Sequence, residues 1–315
     1  MFKNLKLNRK LIIVFVLIAS FTAGVVGIVS HLLGTRTLEE ENFNKLTAIR
    51  ELKAHQIEEY FEQIRNQVIT FSESKTITEA MFKFNEGYSS IDNEYDTSEK
   101  NIRKLTENLN KYYKDEFVPR LESKNIDLKK KDFWPETENA LILQNIYIAN
   151  NKNEVGKNDL LIDAENKTSY ANTHKEYHPL IRNYLKKFGY YDIFLVDIHT
   201  GNIVYSVYKE VDFGTSLITG PYKNTNFAKA FKIASEADQH EFVILKDYEP
   251  YMPSYFAPAS FIASPIFDNG KKIGVLVFQM PIDAINQIMT DDSEWEKVGL
   301  GSLGISIETS NFLGS

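Results

Sequence analysis

The sequence predicts an α+β fold. An N-terminal transmembrane helix runs into a long stalk helix, and a helical segment and a five-stranded antiparallel sheet follow. Three observations carry this prediction. Residues 11–33 form an apolar run without a charged side chain, residues 37–72 lack Pro and Gly and space their apolar residues at helical intervals, and residues 190–282 hold two hairpin patterns. These patterns are typical of a membrane span, an amphipathic helix and paired strands.

The composition excludes several classes of protein. The chain has 315 residues, a formal net charge of −7 and no cysteine. A nucleic-acid-binding domain usually presents a basic face, so we predict no nucleic-acid partner. Without cysteine the chain can form no disulfide, no catalytic thiolate and no cysteine-ligated zinc site.

The apolar run at residues 11–33 is predicted to be a membrane anchor rather than a cleaved signal peptide. A span needs about 20 apolar residues, whereas the apolar region of a signal peptide has about 7–15. Basic residues precede the run and acidic residues follow it, at Lys3, Lys6, Arg9, Lys10, Glu39, Glu40 and Glu41. Because basic residues stay on the cytoplasmic side, we expect a single-pass protein of the cell (inner) membrane. Residues 1–10 would be cytoplasmic and the bulk of the chain extracytoplasmic.

Residues 34–188 are predicted to form the stalk and the helical region. Residues 37–72 have an apolar stripe on one face and charged residues on the other, typical of one long helix. The near-3.5 spacing of the stripe favours a homodimer through this stalk, although the stripe could also pack within its own chain. Further helices are predicted at residues 76–86 (ending at Gly87), 101–117 (stopped by Pro119), 138–148 and 169–188 (ending at Gly189), with a polar loop at 89–97.

Residues 189–290 are predicted to form the sheet. Two apolar, β-branched runs flank a tight turn at residues 199–202, and two more flank the turn at residues 268–271, which is the pattern of β-hairpins. A helix is predicted between the two hairpin regions, at residues 227–237. The five strands are predicted at residues 190–197, 203–210, 241–247, 259–267 and 272–279.

The sequence offers no catalytic arrangement that we recognise, so we predict neither an enzyme nor a bound cofactor. His174 and His178 have a spacing that puts both on one helix face, but a metal site needs three or four converging ligands. We therefore predict no metal. The glycines at residues 299–304 have dinucleotide-loop spacing without a preceding strand, and we interpret them as a linker.

The best candidate for binding is the loop predicted at residues 247–255. It combines three tyrosines, two acidic residues and two prolines, and proline stiffens a loop and pre-organises its side chains. Its three tyrosines, Tyr248, Tyr251 and Tyr255, and its two acids, Asp247 and Glu249, would suit a ligand with an amino or other cationic group, through charge and cation–π contact. Lys209 would pair with a ligand carboxylate. The alternative for each tyrosine is simple packing with its hydroxyl in water.

Four stretches of the second half resemble a known family. They are FGYYDIFLVD at residues 188–197, KEVDFGT at 209–215, GPY at 220–222 and IGVLVFQ at 273–279. Together with the order of anchor, long helix and sheet, they resemble the double-Cache (PAS-like) extracytoplasmic sensor region of bacterial transmembrane receptors, above all methyl-accepting chemotaxis proteins. The stretches match the membrane-distal module. Similar regions sit on histidine kinases and on nucleotide or diguanylate cyclases, so the resemblance leaves the output open.

The resemblance implies a PAS-like ligand-binding module that senses a small molecule for chemotaxis-type signalling across the membrane. The ligand would lie between the sheet and its covering loops. By place on the module, the ligand-binding residues would be Tyr205, Lys209, Asp212, Asp247, Tyr251, Tyr255, Ser264 and Gln279. The Tyr, Arg, Trp and Asp arrangement of amino-acid-binding members is not clearly present, which leaves the ligand class open.

The family also has a membrane-proximal module, a second span and a cytoplasmic signalling part. We expect residues 291–315 to be a linker or the truncated start of the proximal module. A structural, membrane-anchored interaction protein is the alternative from a different functional class.

Overall fold

The computed structural model describes residues 6–122 and 129–290. The chain divides into two compact units, Met1–Glu59 and Tyr60–Ser315. Helix α1, Leu7–Ser72, is one uninterrupted helix of 66 residues. The predicted span and stalk are therefore a single helix, as expected from the lack of a helix breaker after residue 37. The predicted linker at residues 291–315 lies outside the described residues.

The first unit contains the predicted membrane anchor. Within α1, an 18-residue window reaches a mean hydropathy of 2.8, and none of that window is buried by protein. Large apolar side chains such as Phe15 and Phe21 are more than 70% exposed. By length and composition this is the one helix in the described part of the chain that could cross a membrane. The homodimer through the stalk stays a prediction.

The second unit contains the remaining helices and the whole sheet. Its helices are α2 (Lys75–Glu94), α3 (Glu99–Tyr112), α4 (Val118–Glu122), α5 (Glu138–Gln144), α6 (Ser169–Phe188), α7 (Asn226–Glu236) and α8 (Ile282–Thr290). A π-helical turn, Tyr113–Phe117, joins α3 to α4, and a second one, Asn145–Ala149, follows α5. Short 3₁₀ turns lie at Lys130–Asp132, Asn158–Leu160 and Met252–Ser254.

Two predicted helix ends are wrong. Helix α2 passes through Gly87 and continues to Glu94, so most of the predicted loop at residues 89–97 is helical. A Cβ at Gly87 would lie 2.9 Å from the Cα of Tyr170, which shows that this glycine serves the close approach of α6. Pro119 does not stop the helix either, because it directly follows the π-helical turn Tyr113–Phe117, an irregular turn of the kind at which a helix accommodates a proline.

Helix α6 matches its prediction residue for residue. The Thr168 side chain caps the N-terminus by accepting a hydrogen bond from the Ala171 N–H. Gly189 has a φ of 76° and donates its N–H to the Leu185 carbonyl, the left-handed ending that a glycine makes easy.

The sheet has five antiparallel strands in the order β2-β1-β5-β4-β3, which confirms the predicted fold class. The strands are β1 (Asp192–Asp197), β2 (Ile203–Ser206), β3 (Ile244–Tyr251), β4 (Ala257–Asp268) and β5 (Lys271–Met280). Strand β3 begins later than predicted and takes in residues 247–251, which the sequence had indicated as a loop. Pro250 is tolerated there because β3 is an edge strand.

The sheet is covered on both faces, which we call the α6 face and the α7 face. On the α6 face, Phe278 packs against Phe71 and Tyr184, with ring centroids 6.1 and 6.0 Å away. On the α7 face, Phe227 of α7 stacks on Phe261 at 4.6 Å. Because side chains alternate along a strand, neighbouring residues of each strand serve opposite faces.

Candidate ligand-binding site

The structure does not bring the eight predicted site residues together. Tyr205 and Ser264 lie on the α6 face, opposite in register to Leu195 and Leu276. Gln279 lies on the α7 face with Phe261, its partner in register. The other predicted residues are Asp212 and Tyr251, which bond to each other on the α7 face, Lys209 after β2, Asp247, which is exposed on β3, and Tyr255, which is half-buried.

Tyr205 and Lys209 join a buried polar group under α6. The Tyr205 hydroxyl lies 2.8 Å from His178 Nδ1, and His178 Nε2 lies 2.8 Å from the Asp159 carbonyl. Because a carbonyl only accepts, the imidazole proton is on Nε2, and Nδ1 accepts from Tyr205. The Lys209 ammonium donates to the Val207 carbonyl at 3.1 Å. Burial lowers the pKa of Lys209 to about 7 and that of His178 to about 2.

Neither His174 nor His178 is arranged to bind a metal ion. His174 Nδ1 faces the Ile162 carbonyl at 3.1 Å, and its ring stacks on His178 at 4.4 Å. Across residues 6–122 and 129–290, no group of three or more His, Asp or Glu side chains could hold a metal ion. Ser264 lies on the same sheet face as Tyr205 but on β4, with its hydroxyl 3.2 Å from that of Ser72 at the end of α1.

Asp192 fixes the turn after β2. Its carboxyl group accepts from the Ser206 hydroxyl at 2.7 Å and from the backbone N–H of Ile193 and Val207 at 2.6 and 2.9 Å. These bonds hold the turn in which Lys209 takes a φ of 54°, an uncommon value for a residue with a side chain. Burial of the carboxyl group raises the pKa of Asp192 to about 7.

Glu210 follows this turn and connects the surface to the sheet. Its carboxyl oxygens accept from the Tyr191 hydroxyl at 2.7 Å and the Ser254 hydroxyl at 2.6 Å. The amide of Gln279 donates to Ser254 at 3.1 Å, which extends the chain of hydrogen bonds to the middle of the α7 face. Burial raises the pKa of Glu210.

Asp212 is fully buried on the α7 face. Its Oδ2 accepts from the Tyr251 hydroxyl at 2.6 Å, whereas its Oδ1 is buried without a hydrogen-bond partner. Burial first, and the charge of Glu210 second, raise its pKa well above the usual range. Gln279 Oε1 and the Tyr222 hydroxyl are also buried without a partner. We call Asp192, Glu210 and Asp212 the acid cluster.

A pocket of about 310 Å³ opens beside the acid cluster. Glu210 forms part of its wall, together with the side chains of four tyrosines from four separate segments. Tyr191 and Tyr208 stack with their ring centroids 5.6 Å apart. The tyrosines are Tyr112, Tyr191, Tyr208 and Tyr255, and the other lining residues are Phe117, Val155, Gly156, Asn158, Val211 and Pro253. We call this the tyrosine pocket.

Sequence reasoning found Tyr255 but missed the other three tyrosines and Glu210. Tyr112 and Tyr191 each stand next to a second tyrosine, Tyr113 and Tyr190, whose side chain is in the core. In the sequence both pairs look like core residues. Tyr112 and Tyr191 line one pocket only because the fold brings the end of α3 close to the start of β1 and the turn after β2.

A second, larger cavity of about 660 Å³ lies near the hairpin turn between β1 and β2. Its carboxylate, Asp197, already accepts from the Asn85 amide at 2.9 Å and from the backbone and hydroxyl of Thr200 at 2.7 and 2.6 Å. These bonds stabilise the turn itself. The tyrosine pocket is the better candidate for a ligand, because the Glu210 carboxyl group on its wall connects through Ser254 to Gln279 on the α7 face.

No protein-family model matches the chain, and no curated protein matches it. Among solved structures, the chain is similar to the sensor domain of the histidine kinase DctB of V. cholerae, at 17% identity and a TM-score of 0.29, over 59% of each chain. It is also similar to the ligand-binding domain of the Campylobacter jejuni chemoreceptor Tlp3, solved in complex with 4-methylisoleucine. There the identity is 12% and the TM-score 0.27, over 70% of this chain and 65% of that one.

The chain thus spans less than two thirds of the length of either solved structure. TM-scores this low establish no shared function, so the ligand of this chain has to be inferred from its own residues.

Proposed function

We propose that this chain is a membrane-anchored, extracytoplasmic sensor region whose second unit binds a small molecule in the tyrosine pocket. The observation that carries the proposal is a pocket of about 310 Å³ with Glu210 on its wall and a chain of buried polar groups behind it. Ligand pockets typically combine apolar and aromatic walls with a few polar groups that orient the ligand.

Unpartnered buried groups behind the pocket are a second, weaker support for a ligand. A buried acceptor without a partner costs free energy, and such groups are rare in native proteins. Asp212, Tyr222 and Gln279 each carry one. None of these three residues lines the tyrosine pocket, so they show only that the α7 face behind Glu210 holds more polar groups than its own hydrogen bonds satisfy.

The apolar segment of α1 and the orientation that the sequence predicts support a sensing role. The apolar window of α1 is long enough to cross a membrane, and the basic residues before it favour a cytoplasmic N-terminus. We propose chemotaxis-type signalling as the output, on the resemblance of residues 188–279 to double-Cache regions. The sensor region of a histidine kinase or cyclase is the alternative output.

The test is a thermal-shift screen of the full chain in lipid nanodiscs against amino acids, amines, organic acids and purines. A ligand present at about 100 times its Kd adds roughly 2.7 kcal/mol to the free energy of unfolding. We expect at least one compound to raise the unfolding temperature. We expect the Tyr208→Leu variant, which alters the pocket wall, to reduce that shift. A folded chain that no compound stabilises, or a shift that Tyr208→Leu leaves intact, would contradict the proposal.

A further inference from the structure

The larger cavity, of about 660 Å³, is separate from the tyrosine pocket, and we call it the hairpin cavity. The two share no lining residue. Helix α2 forms one wall with residues at intervals of three and four, which therefore lie on one helix face: Phe82, Asn85, Glu86 and Ser89. The hairpin of β1 and β2, the start of α5 and the start of β5 supply most of the remaining lining.

The hairpin cavity contains an aromatic ring that the protein leaves uncovered. Phe82 is 65% exposed, more than any other large apolar side chain that the structure describes in the second unit. Its neighbours Met81 and Phe84 are fully buried, so the inner face of α2 packs on the core without it. An exposed ring beside polar side chains offers a flat apolar surface on which a ligand can stack.

Two asparagine amides at the hairpin cavity are held by their nitrogen atoms. Asn85 donates to Asp197 at 2.9 Å, and Asn139 donates to the Tyr88 carbonyl at 2.8 Å. No described residue donates to the oxygen of either amide, so both oxygens remain available as acceptors. The side chain of Asn202 bonds to no described residue and offers both a donor and an acceptor.

The formally charged side chains of the hairpin cavity balance one another. Asp197 accepts hydrogen bonds within the protein, and Lys272 donates to two backbone carbonyls at 2.6 and 2.7 Å. The other two, Glu86 and Lys271, are exposed and opposite in sign. The cavity therefore favours neither an anion nor a cation.

These features match the chemistry of a sugar. Its hydroxyl groups both donate and accept hydrogen bonds, it carries no charge, and the C–H groups on one side of its ring form an apolar surface that packs on an aromatic side chain. A cavity of about 660 Å³ has the volume of roughly twenty water molecules, which fits one or two sugar rings.

From this arrangement we infer that the hairpin cavity is a second binding site, which takes a neutral carbohydrate of one or two rings stacked on Phe82. The inference goes beyond the proposed function, because the tyrosine pocket takes no part in it.

The test is saturation-transfer NMR on the full chain in lipid nanodiscs, with empty nanodiscs as the blank. The neutral probes are glucose, galactose and maltose, and the charged analogues are glucuronate and glucosamine. We expect at least one neutral sugar to bind with a Kd on the order of 10 mM or tighter. We expect neither charged analogue to bind more tightly than the best neutral sugar.

The Phe82→Ala variant removes the ring on which the sugar would stack. We expect it to weaken sugar binding about tenfold, whereas Phe82→Tyr, which keeps the ring, should restore most of the affinity. The matched control is Phe188→Ala on α6, at a phenylalanine that is 47% exposed and lies outside the cavity lining. It should leave binding unchanged.

Far-ultraviolet circular dichroism checks that each variant is folded. If Phe82→Ala unfolds the chain, Asn202→Ala provides the same test, because it removes a donor and an acceptor from the hairpin side of the cavity. We expect this variant also to weaken sugar binding.

The results separate this inference from the proposed function. The absence of binding by any neutral sugar, tighter binding of a charged analogue, or sugar binding that folded Phe82→Ala leaves intact overturns the inference and leaves the tyrosine pocket untouched. Sugar binding that Tyr208→Leu abolishes also overturns it, because the sugar would then occupy the tyrosine pocket. Binding that Phe82→Ala weakens and Tyr208→Leu preserves supports the inference, whatever the thermal-shift screen shows.

Discussion

Replacement of Asp212 by asparagine should make the protein less sensitive to rising pH. Asparagine has nearly the same shape and keeps an oxygen that can accept from the Tyr251 hydroxyl, now 2.6 Å from Asp212 Oδ2. The variant removes the ability of the buried group to ionise and replaces one carboxyl oxygen by an amide nitrogen of similar size. Any change of the pH dependence can therefore be assigned to that ionisation.

The sign follows from the raised pKa of Asp212. In the unfolded chain the carboxyl group ionises near its ordinary pKa of about 3.9. In the folded chain burial raises the pKa well above that value, so the group keeps its proton to higher pH. Between the two pKa values the folded state binds more protons than the unfolded state. The wild-type protein therefore loses stability as pH rises through this interval, and Asp212→Asn does not.

The magnitude is set by one proton. Each pH unit within the interval costs the wild-type protein up to about 1.36 kcal/mol relative to the variant. As pH rises above about 5, the free energy of unfolding of Asp212→Asn should therefore gain steadily on the wild type until the folded-state pKa of Asp212 is reached. At about pH 4 the two proteins should differ little.

The assay is urea unfolding of the full chain in detergent, followed by far-ultraviolet circular dichroism at each pH. The matched control is Asp268→Asn, at an exposed aspartate in the turn between β4 and β5, which should change stability by less than about 0.5 kcal/mol at either pH. A constant difference between Asp212→Asn and wild type across the pH range would refute the reasoning. A difference that shrinks as pH rises would show that the carboxylate is stabilised by its surroundings.

Two further predictions concern packing and topology. Gly87→Ala should lower the free energy of unfolding by about 1–3 kcal/mol in the same assay, because its Cβ would lie 2.9 Å from the Tyr170 backbone. The control Ser89→Ala, at an exposed residue of the same helix, should have no such effect. If Gly87→Ala stabilised the protein, helix propensity would outweigh the contact. Because the chain has no cysteine, variants with a single introduced cysteine can report the membrane topology. In intact cells, a membrane-impermeant maleimide should label Asp268→Cys and leave Asn8→Cys unlabelled. The reverse pattern would contradict a cytoplasmic N-terminus.

Much of the fold could be predicted because local chemistry decides it. Helix α6 begins at a threonine cap and ends at Gly189, and both signals act within a few residues of the backbone they satisfy. The turns at residues 199–202 and 268–271 carry Gly and Asn, which lowered the cost of reversing the chain between adjacent strands. These features depend on neighbouring residues, so the sequence shows them directly.

The errors arose where a distant segment sets the outcome. Glycine often ends a helix, yet Gly87 lies inside α2, where the close approach of Tyr170 from α6 requires a residue without a side chain. Residues 247–251 have the Pro and Tyr content of a loop, yet hydrogen bonding to β4 makes them an edge strand. In both cases a partner remote in sequence outweighs the local preference.

By itself the sequence determined the class of the protein: an apolar segment long enough for a membrane, a continuous helix beyond it, and five strands with hairpin turns. The tertiary structure decided which of the candidate residues can act together. It separated Tyr205 and Ser264 from Asp212 and Gln279, because successive side chains of a strand point to opposite faces. It also placed Glu210 among tyrosines from four segments, because only the folded chain brings those segments to one pocket.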